Sequence, residues 1–402
     1  VIDSHRTPRG ADAISHQPWA RFDDLRNGVA WRFQASSGDV LATTRPAEVA
    51  GVLAAVEDAT TNGQFAFGFL AYEAACGLDD ALSTHPRAAD GPPLAWFALA
   101  DRPTRVPVVS PISLRGAASP ASPPYTARWR RRWTEAEHHR DVDAVRARIA
   151  AGDTYQCNLT VRLDGRFRGD PCALYTDLVV GQGAEHNAYL DLGRFVIASA
   201  SPELFFRRAG NHLLVRPMKG TAARGATAAA DRRASEDLRA SPKERAENVI
   251  IVDLVRNDLG RIARAGTVSV TRLYQAEHYP TVLQMTSDIE ARLRPDTGLL
   301  DIFRALFPCG SVTGAPKAST MRIITEVEDS PRSVYCGAIG WVAPPTAAVS
   351  ARFSVAIRTA VIDRMNGTAE YGTGGGITWS SSAAAEHAEL LVKTRILEGQ
   401  GP

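Results

Sequence analysis

The chain has 402 residues, a formal charge of +2 and 45% hydrophobic residues, enough for a substantial core in two or three domains or one large intertwined one. The charges are mixed along the sequence, which argues against a nucleic-acid binder. Five scattered cysteines without a C-x-x-C pair speak against a disulfide framework or zinc site and for a reducing, cytoplasmic setting, and no apolar run reaches the length of a membrane span. No signal-like segment opens the sequence, and a start at Val1 is what a trimmed or partial polypeptide would show.

In chain order, Ala30–Phe33 and Phe65–Leu70 read as strands. Pro46 to Thr60 reads as a helix with proline in its first turn. Residues 106–124 are rich in Pro, Ser and Ala and read as a linker, so a boundary is expected between a region 1–124 and a main domain 125–402. The cluster Arg128-Trp129-Arg130-Arg131-Arg132-Trp133 reads as a solvated approach to a helix. Thr134 with Glu137 forms a capping box ahead of Val142, Val145 and Ile149 at helical spacing, and Gly152 ends that helix.

Short β-like runs follow at Gln156–Leu163, Ala188–Leu192, Phe195–Ala200 and Leu204–Arg207. Ser241, Pro242 and Glu244 open a second helix that runs to about Asp258 and stops at Gly260. A helix is expected over 313–328, strands over 334–342 and 352–362, and a last helix from Ser382 to Leu397. Strands grouped between helices without strict alternation predict an α+β fold, and no internal repeat is visible.

Only four of the 46 basic residues are lysines: Lys219, Lys243, Lys317 and Lys393. Arginine covers surface equally well, so a retained lysine suggests chemistry that guanidinium cannot perform, such as acting as a neutral nucleophile. Lys219, in Pro217-Met218-Lys219-Gly220-Thr221, is the leading candidate. Glu244 with Glu247, and Glu386 with Glu389, each lie one helical turn apart. If the two faces meet they form an all-oxygen site suited to Mg²⁺, although each pair alone is commonly a solvated helix face and Glu244 can serve only as a cap.

Gly372–Gly376 offers consecutive backbone N–H groups without side chains, fit either for an anion or for a tight turn. Arg358 lies in an apolar strand-like run, where it needs a carboxylate partner, from a substrate or from a structural salt bridge. Glu203, in Ser201-Pro202-Glu203-Leu204-Phe205-Phe206, is a carboxyl among apolar residues and suits a general acid.

Together these stretches resemble the chorismate-utilising enzymes. The resemblance runs over about residues 130–398, in family order. It is carried by Gly152-Asp153-Thr154-Tyr155-Gln156-Cys157-Asn158-Leu159-Thr160, Ser201-Pro202-Glu203, Pro217–Thr221 and Glu244-Arg245-Ala246-Glu247-Asn248. Val252–Asp258, Gly310–Lys317, Cys336–Gly340, Ile357-Arg358-Thr359 and Gly374–Gly376 continue it, with looser matches at Ala20–Asp23 and Gly68–Ala74. It implies an anthranilate synthase component I-like α+β fold with large, mostly antiparallel sheets flanked by helices.

Within the family, Gln156 stands where isochorismate and salicylate synthases carry a water-activating lysine, so ammonia is the implied nucleophile. Lys219 stands where anthranilate synthases typically carry alanine. The resemblance therefore implies Mg²⁺-dependent amination of chorismate at C4 to 4-amino-4-deoxychorismate, through a Lys219 adduct, on the branch to 4-aminobenzoate, which feeds either folate or a specialised aminated metabolite. It implies Glu203 as proton donor and acceptor, and Mg²⁺ held by Glu247 and Glu389 with Glu244 and Glu386 around it. Arg358 and Gly374, Gly375 and Gly376 would hold the pyruvyl carboxylate, with Gly220 and Thr221 also lining the substrate. Ammonia would come from a glutamine amidotransferase, as a subunit or an upstream domain, and pyruvate release would need a separate lyase. Gln284 departs from the histidine common in the family, which weakens the alternative of an anthranilate synthase. A catalytically dead sensor of an aromatic amino acid is a second alternative, disfavoured by the retained Glu203, Lys219 and four glutamates.

Overall fold

The computed structural model describes residues 17–110, 125–280 and 282–397. Every strand pairing among them is antiparallel, as an α+β chain without βαβ crossovers predicts. One ladder runs Thr104–Val106, Val29–Thr43, Trp19–Asp24, His186–Asp191, Phe195–Ser201, Thr359–Asp363, Thr368–Ile377, Gln156–Gly169 and Tyr125–Arg131. The other runs from the far half of Val29–Thr43 through Ala95–Ala100, Phe65–Leu70, Ala338–Val342, Ala351–Val355, Leu204–Ala209 and His212–Arg216 to Val282–Arg292. That strand also takes Met218–Ala223 and Ser269–His278 as partners. Strands from residues 19–106 thus pair directly into both ladders.

The core explains the apolar runs. Phe65–Leu70 is buried on both faces at all but its first residue, which is why it reads as continuous rather than alternating. Phe206, Phe303 and Phe353 meet with ring centroids 5.1–5.4 Å apart and are fully buried. Each such ring contributes about 1.5–3 kcal/mol of burial.

The helix caps agree with the sequence. Thr134 and Glu137 form the reciprocal capping box of helix Glu135–Ala150. Ser241 accepts from the Glu244 N–H at the start of helix Pro242–Gly260, and Ser382 caps helix Ala383–Thr394. The 313–328 expectation contracts to helix Lys317–Val327.

Three expectations need correction. Tyr125–Arg131 is a strand, not a helix approach: Arg128 and Arg130 face solvent while Ala127 and Trp129 pack inward, the period of two of an edge strand. The run 352–362 is two strands broken near Arg358, whose φ of 52° no continuous strand tolerates. Gly372–Gly376 is not a turn. It lies within strand Thr368–Ile377, paired to Gln156–Gly169. Of the expected linker, residues 111–124 lie outside the described residues.

A buried ion pair locks the strand beneath the site. Arg332, 1% exposed, bonds both carboxylate oxygens of Glu328 and donates to the carbonyls of Val312 and Asn158. Glu328 accepts in turn from the Thr160 N–H. Full hydrogen bonding compensates both charges and ties strand Gln156–Gly169 to the turn Gly310–Val312.

Candidate active site

A cleft of about 1020 Å³, counting the solvent at its open mouth, lies between strand Met218–Ala223, strand Thr368–Ile377 and the helices Pro242–Gly260 and Ala383–Thr394. It gathers Lys219, Glu203, Gly220, Thr221, Arg358, Gly374, Gly375, Gly376 and all four glutamates. These residues span nearly 190 positions of sequence.

Lys219 follows Met218 at a strand irregularity where the register to Val282–Arg292 shifts. Gly220 adopts φ +101°, a conformation that favours glycine, and a Cβ there would also press on the Glu244 carboxylate and Met285. The Lys219 ammonium is half-buried, and desolvation holds its pKa below the ordinary lysine value against the opposing pull of Glu247.

Glu203 sits between strands Phe195–Ser201 and Leu204–Ala209 and is 2% exposed. Burial pushes its pKa up to about 7, although Ser311 Oγ donates to it at 2.6 Å and the Met218 N–H approaches at 3.4 Å. A carboxyl that holds its proton near neutrality is equipped for general acid–base work.

Glu244 does not return its carboxylate to the helix start as a cap; only its N–H is used by Ser241. Burial raises the pKa of Glu244, Glu247 and Glu386, and the neighbouring glutamates add to each shift. Glu389 is the exception, lowered by Lys393, whose Nζ lies 2.8 Å from its carboxylate. Two helices therefore present carboxylates to one another across the cleft. The donor set is all oxygen, and its mutual repulsion is relieved by the Lys219 ammonium beside Glu247, by Lys393 and by Lys243, 3.9 Å from Glu247. That chemistry fits Mg²⁺, which keeps several of its waters and needs few direct protein ligands.

The glycines work by what they lack. A Cβ on Gly376 would lie 2.7 Å from Lys219 Nζ and 2.9 Å from Gln156 Nε2, so the missing side chain is the space in which both groups point. A Cβ on Gly374 would instead strike the Leu159 carbonyl at 2.4 Å, a backbone clash. Gly376→Ala is accordingly expected to slow turnover about tenfold or more with little change in Tm, because only side-chain ends must move. Gly374→Ala is expected to destabilise the fold by about 1–3 kcal/mol. Paired kinetic and melting measurements separate the two, and equal melting of both variants would refute the distinction.

Gln156 does not line the cleft wall, but its amide reaches the space beside Gly376 on the same side as Lys219 Nζ. It is fully buried and neither amide atom has a hydrogen-bond partner among the described residues, which leaves both for a bound molecule. Arg358 enters the cleft from the strand break, with Nη1 donating to the Lys393 carbonyl at 2.9 Å. No salt bridge holds it among the described residues.

Sequence reasoning missed several contributors. Lys393 Nζ donates to the Gly374 carbonyl at 2.8 Å as well as binding Glu389. Ser311, Asn158, Tyr335 and Gln284 also line the cleft. The scarcity of lysine was the available signal: Lys219, Lys243 and Lys393 all face this cleft. Lys317, the fourth, binds Asp258 at 2.9 Å and the Leu306 carbonyl, a structural post.

A family model described as chorismate binding enzyme matches residues 13–399. The chain belongs to the chorismate binding enzyme family. Among curated family members it is 40% identical to anthranilate synthase component 1 of Streptomyces coelicolor, over 73% of this chain and 57% of that one. It is 36% identical to aminodeoxychorismate synthase component 1 of Salmonella typhimurium, over 71% of this chain and 62% of that one. It is 42% identical to aminodeoxychorismate synthase of Streptomyces griseus, over 64% of this chain and 36% of that one. The chain thus spans less than two thirds of the length of each of these relatives. The crystal structure of anthranilate synthase component I from Streptococcus pneumoniae shares the fold, with a TM-score of 0.74 at 23% identity over 98% of this chain and 95% of that one. The family fold and the resemblance to aminodeoxychorismate synthase component 1 stand as the sequence implied. No described helix is long and apolar enough to cross a membrane.

Proposed function

We propose that this family member aminates chorismate at C4 to give 4-amino-4-deoxychorismate. The observation that carries the reading is Lys219: a desolvated primary amine beside a buried, proton-holding Glu203 and opposite two carboxylate-bearing helices. The amine would add to C2 of chorismate as the C4 hydroxyl departs, taking a proton from Glu203 and leaving as water. Ammonia would then attack C4, the ring double bond shifting back as the C2–N bond breaks and Lys219 returns to its amine form. The excess proton on the incoming nitrogen passes to Glu203, which restores the acid.

Arg358 would grip the pyruvyl carboxylate, with the bare strand Gly374–Gly376 allowing close approach, and Gly220 and Thr221 would flank the ring. Gln156, with both amide atoms unpaired among the described residues, would orient the incoming ammonia. Mg²⁺, held by Glu247 and Glu389 with Glu244 and Glu386 around it, would supply a hard positive site for the ring carboxylate. A glutamine amidotransferase would supply ammonia, as the designation "component 1" of the relatives suggests, and the reducing cytoplasm would be the setting.

The test is mass spectrometry of the product from chorismate, ammonium and Mg²⁺, with and without an aminodeoxychorismate lyase. A 4-amino product that releases pyruvate only with the lyase supports the reading. A 2-amino product with lyase-independent pyruvate release would replace it with anthranilate synthesis, the activity named for the Streptomyces coelicolor relative. No chorismate turnover under these conditions would favour the inactive sensor. Glu389→Gln is expected to raise the Mg²⁺ concentration for half-maximal turnover about tenfold or more, since it removes a charged oxygen ligand. An unchanged Mg²⁺ titration would remove Glu389 from the metal site.

A further inference from the structure

A second group of ligand-type side chains lies where helix Glu135–Ala150 packs on helix Ala383–Thr394. Glu135 and His139 stand one turn apart on the first helix, so their side chains share a face. His387 faces them from the second. His139 Nε2 lies 3.7 Å and His387 Nδ1 3.9 Å from the same carboxylate oxygen, Glu135 Oε1, and all three ligand atoms fall within 4.8 Å of one another. None of the three lines the acidic cleft.

These separations are too long for hydrogen bonds. They are close to the edge of a tetrahedron around a metal at 2.0–2.1 Å, about 3.4 Å. Neither imidazole makes a side-chain hydrogen bond among the described residues, although the His138 ring lies 5.5 Å from that of His387. His387 is 8% exposed and makes no hydrogen bond among the described residues. His139 Nε2 is buried without a hydrogen-bond partner among the described residues and points at Glu135. Two unpaired imidazole nitrogens aimed at one exposed carboxylate leave a cost that a cation would relieve.

We propose that Glu135, His139 and His387 form a three-ligand site for a transition-metal cation of the Zn²⁺ class. Two nitrogens and one carboxylate oxygen suit Zn²⁺, Co²⁺ or Ni²⁺ and not Mg²⁺, which prefers oxygen ligands. The side-chain exposure of Glu135, 65%, leaves the fourth position to water. The ion would clip the two helices together. His387 directly follows Glu386, and Glu389 lies on the same helix, so the clip fixes the element that presents carboxylates to the cleft.

The test uses the intact chain in excess Mg²⁺, which occupies the oxygen sites of the cleft. Zn²⁺ is titrated calorimetrically, and Co²⁺ is followed by its visible absorption. One equivalent bound in the micromolar range, a tetrahedral Co²⁺ spectrum and a raised Tm are expected. His139→Ala and His387→Ala should each weaken binding at least about tenfold, whereas Glu389→Gln should leave it unchanged. His139 is partly exposed, so its variant serves even if His387→Ala fails to fold. Zn²⁺ binding that is indifferent to His139→Ala, lost in Glu389→Gln, or absent at millimolar Zn²⁺ overturns the proposal.

Discussion

Lys219→Ala is expected to lose roughly 10³-fold or more of 4-amino product formation, since removing a nucleophile forfeits at least about 4 kcal/mol of barrier lowering. Chorismate affinity should change little, because Arg358, the glutamates and the glycine strand remain. The demand on this amine is quantifiable. An ordinary lysine is neutral in about one molecule per thousand near pH 7.4, a handicap of roughly 4 kcal/mol. Desolvation in the cleft reduces that handicap, while Glu247, Glu203 and Glu389 restore part of it. A divalent cation on the glutamates would cancel that restoring field, so Mg²⁺ should both bind substrate and free the amine. Lys219→Arg is the informative control. It keeps the charge but cannot be deprotonated, so it should be as inactive as the alanine variant. Single-turnover product analysis with equilibrium chorismate binding checks all of this. Normal 4-amino product from Lys219→Ala would end the nucleophile role, and activity in Lys219→Arg would recast the residue as a fixed charge.

How much of this was written locally in the sequence differs from residue to residue. The helix starts at Thr134, Ser241 and Ser382 were legible because a cap is a contact between residues three apart. The strand that carries Lys219 was not. Pro217 and Gly220 interrupt its pattern, and it is made a strand by pairing with Val282–Arg292, some sixty residues away. Helix Ala228–Ala240 was missed because it buries only Asp231 and Leu238 and has no apolar stripe to read. Gly372–Gly376 looked like a turn, since glycine has no strand preference of its own; the ladder with Gln156–Gly169 imposes the extended form. The glutamate spacing fixed which carboxylates share a helix face. That the two faces meet came from family resemblance, because helices some 140 residues apart converge only through the tertiary fold.

Glu203→Gln is expected to cut turnover by about 10²–10⁴-fold, the usual worth of a positioned acid–base group. The hydrogen bond from Ser311 can be retained by the amide oxygen, so the substitution removes the exchangeable proton with little loss of shape. The pH profile carries the sharper signature. With a pKa of about 7 in the folded protein, Glu203 is protonated below neutrality, so the acid-dependent step should decline as pH rises through about 7. Stability follows the same proton. The folded value lies above the ordinary 4.5, so the folded chain binds the proton more tightly than the unfolded one. Its contribution is therefore full below about pH 4.5, declines between 4.5 and 7, and is gone above 7, a change of about 3 kcal/mol across the window. Glu203→Gln should flatten that part of the stability curve and be relatively more stable than the parent above pH 7, while remaining slow at every pH. A structural carboxyl would give the stability change alone. The rate and stability effects must therefore appear together in one variant, and denaturant melts at pH 5 and pH 8 beside the kinetic pH profile measure both. Retention of the parental rate limb near pH 7 in Glu203→Gln would assign that proton to another group in the cleft.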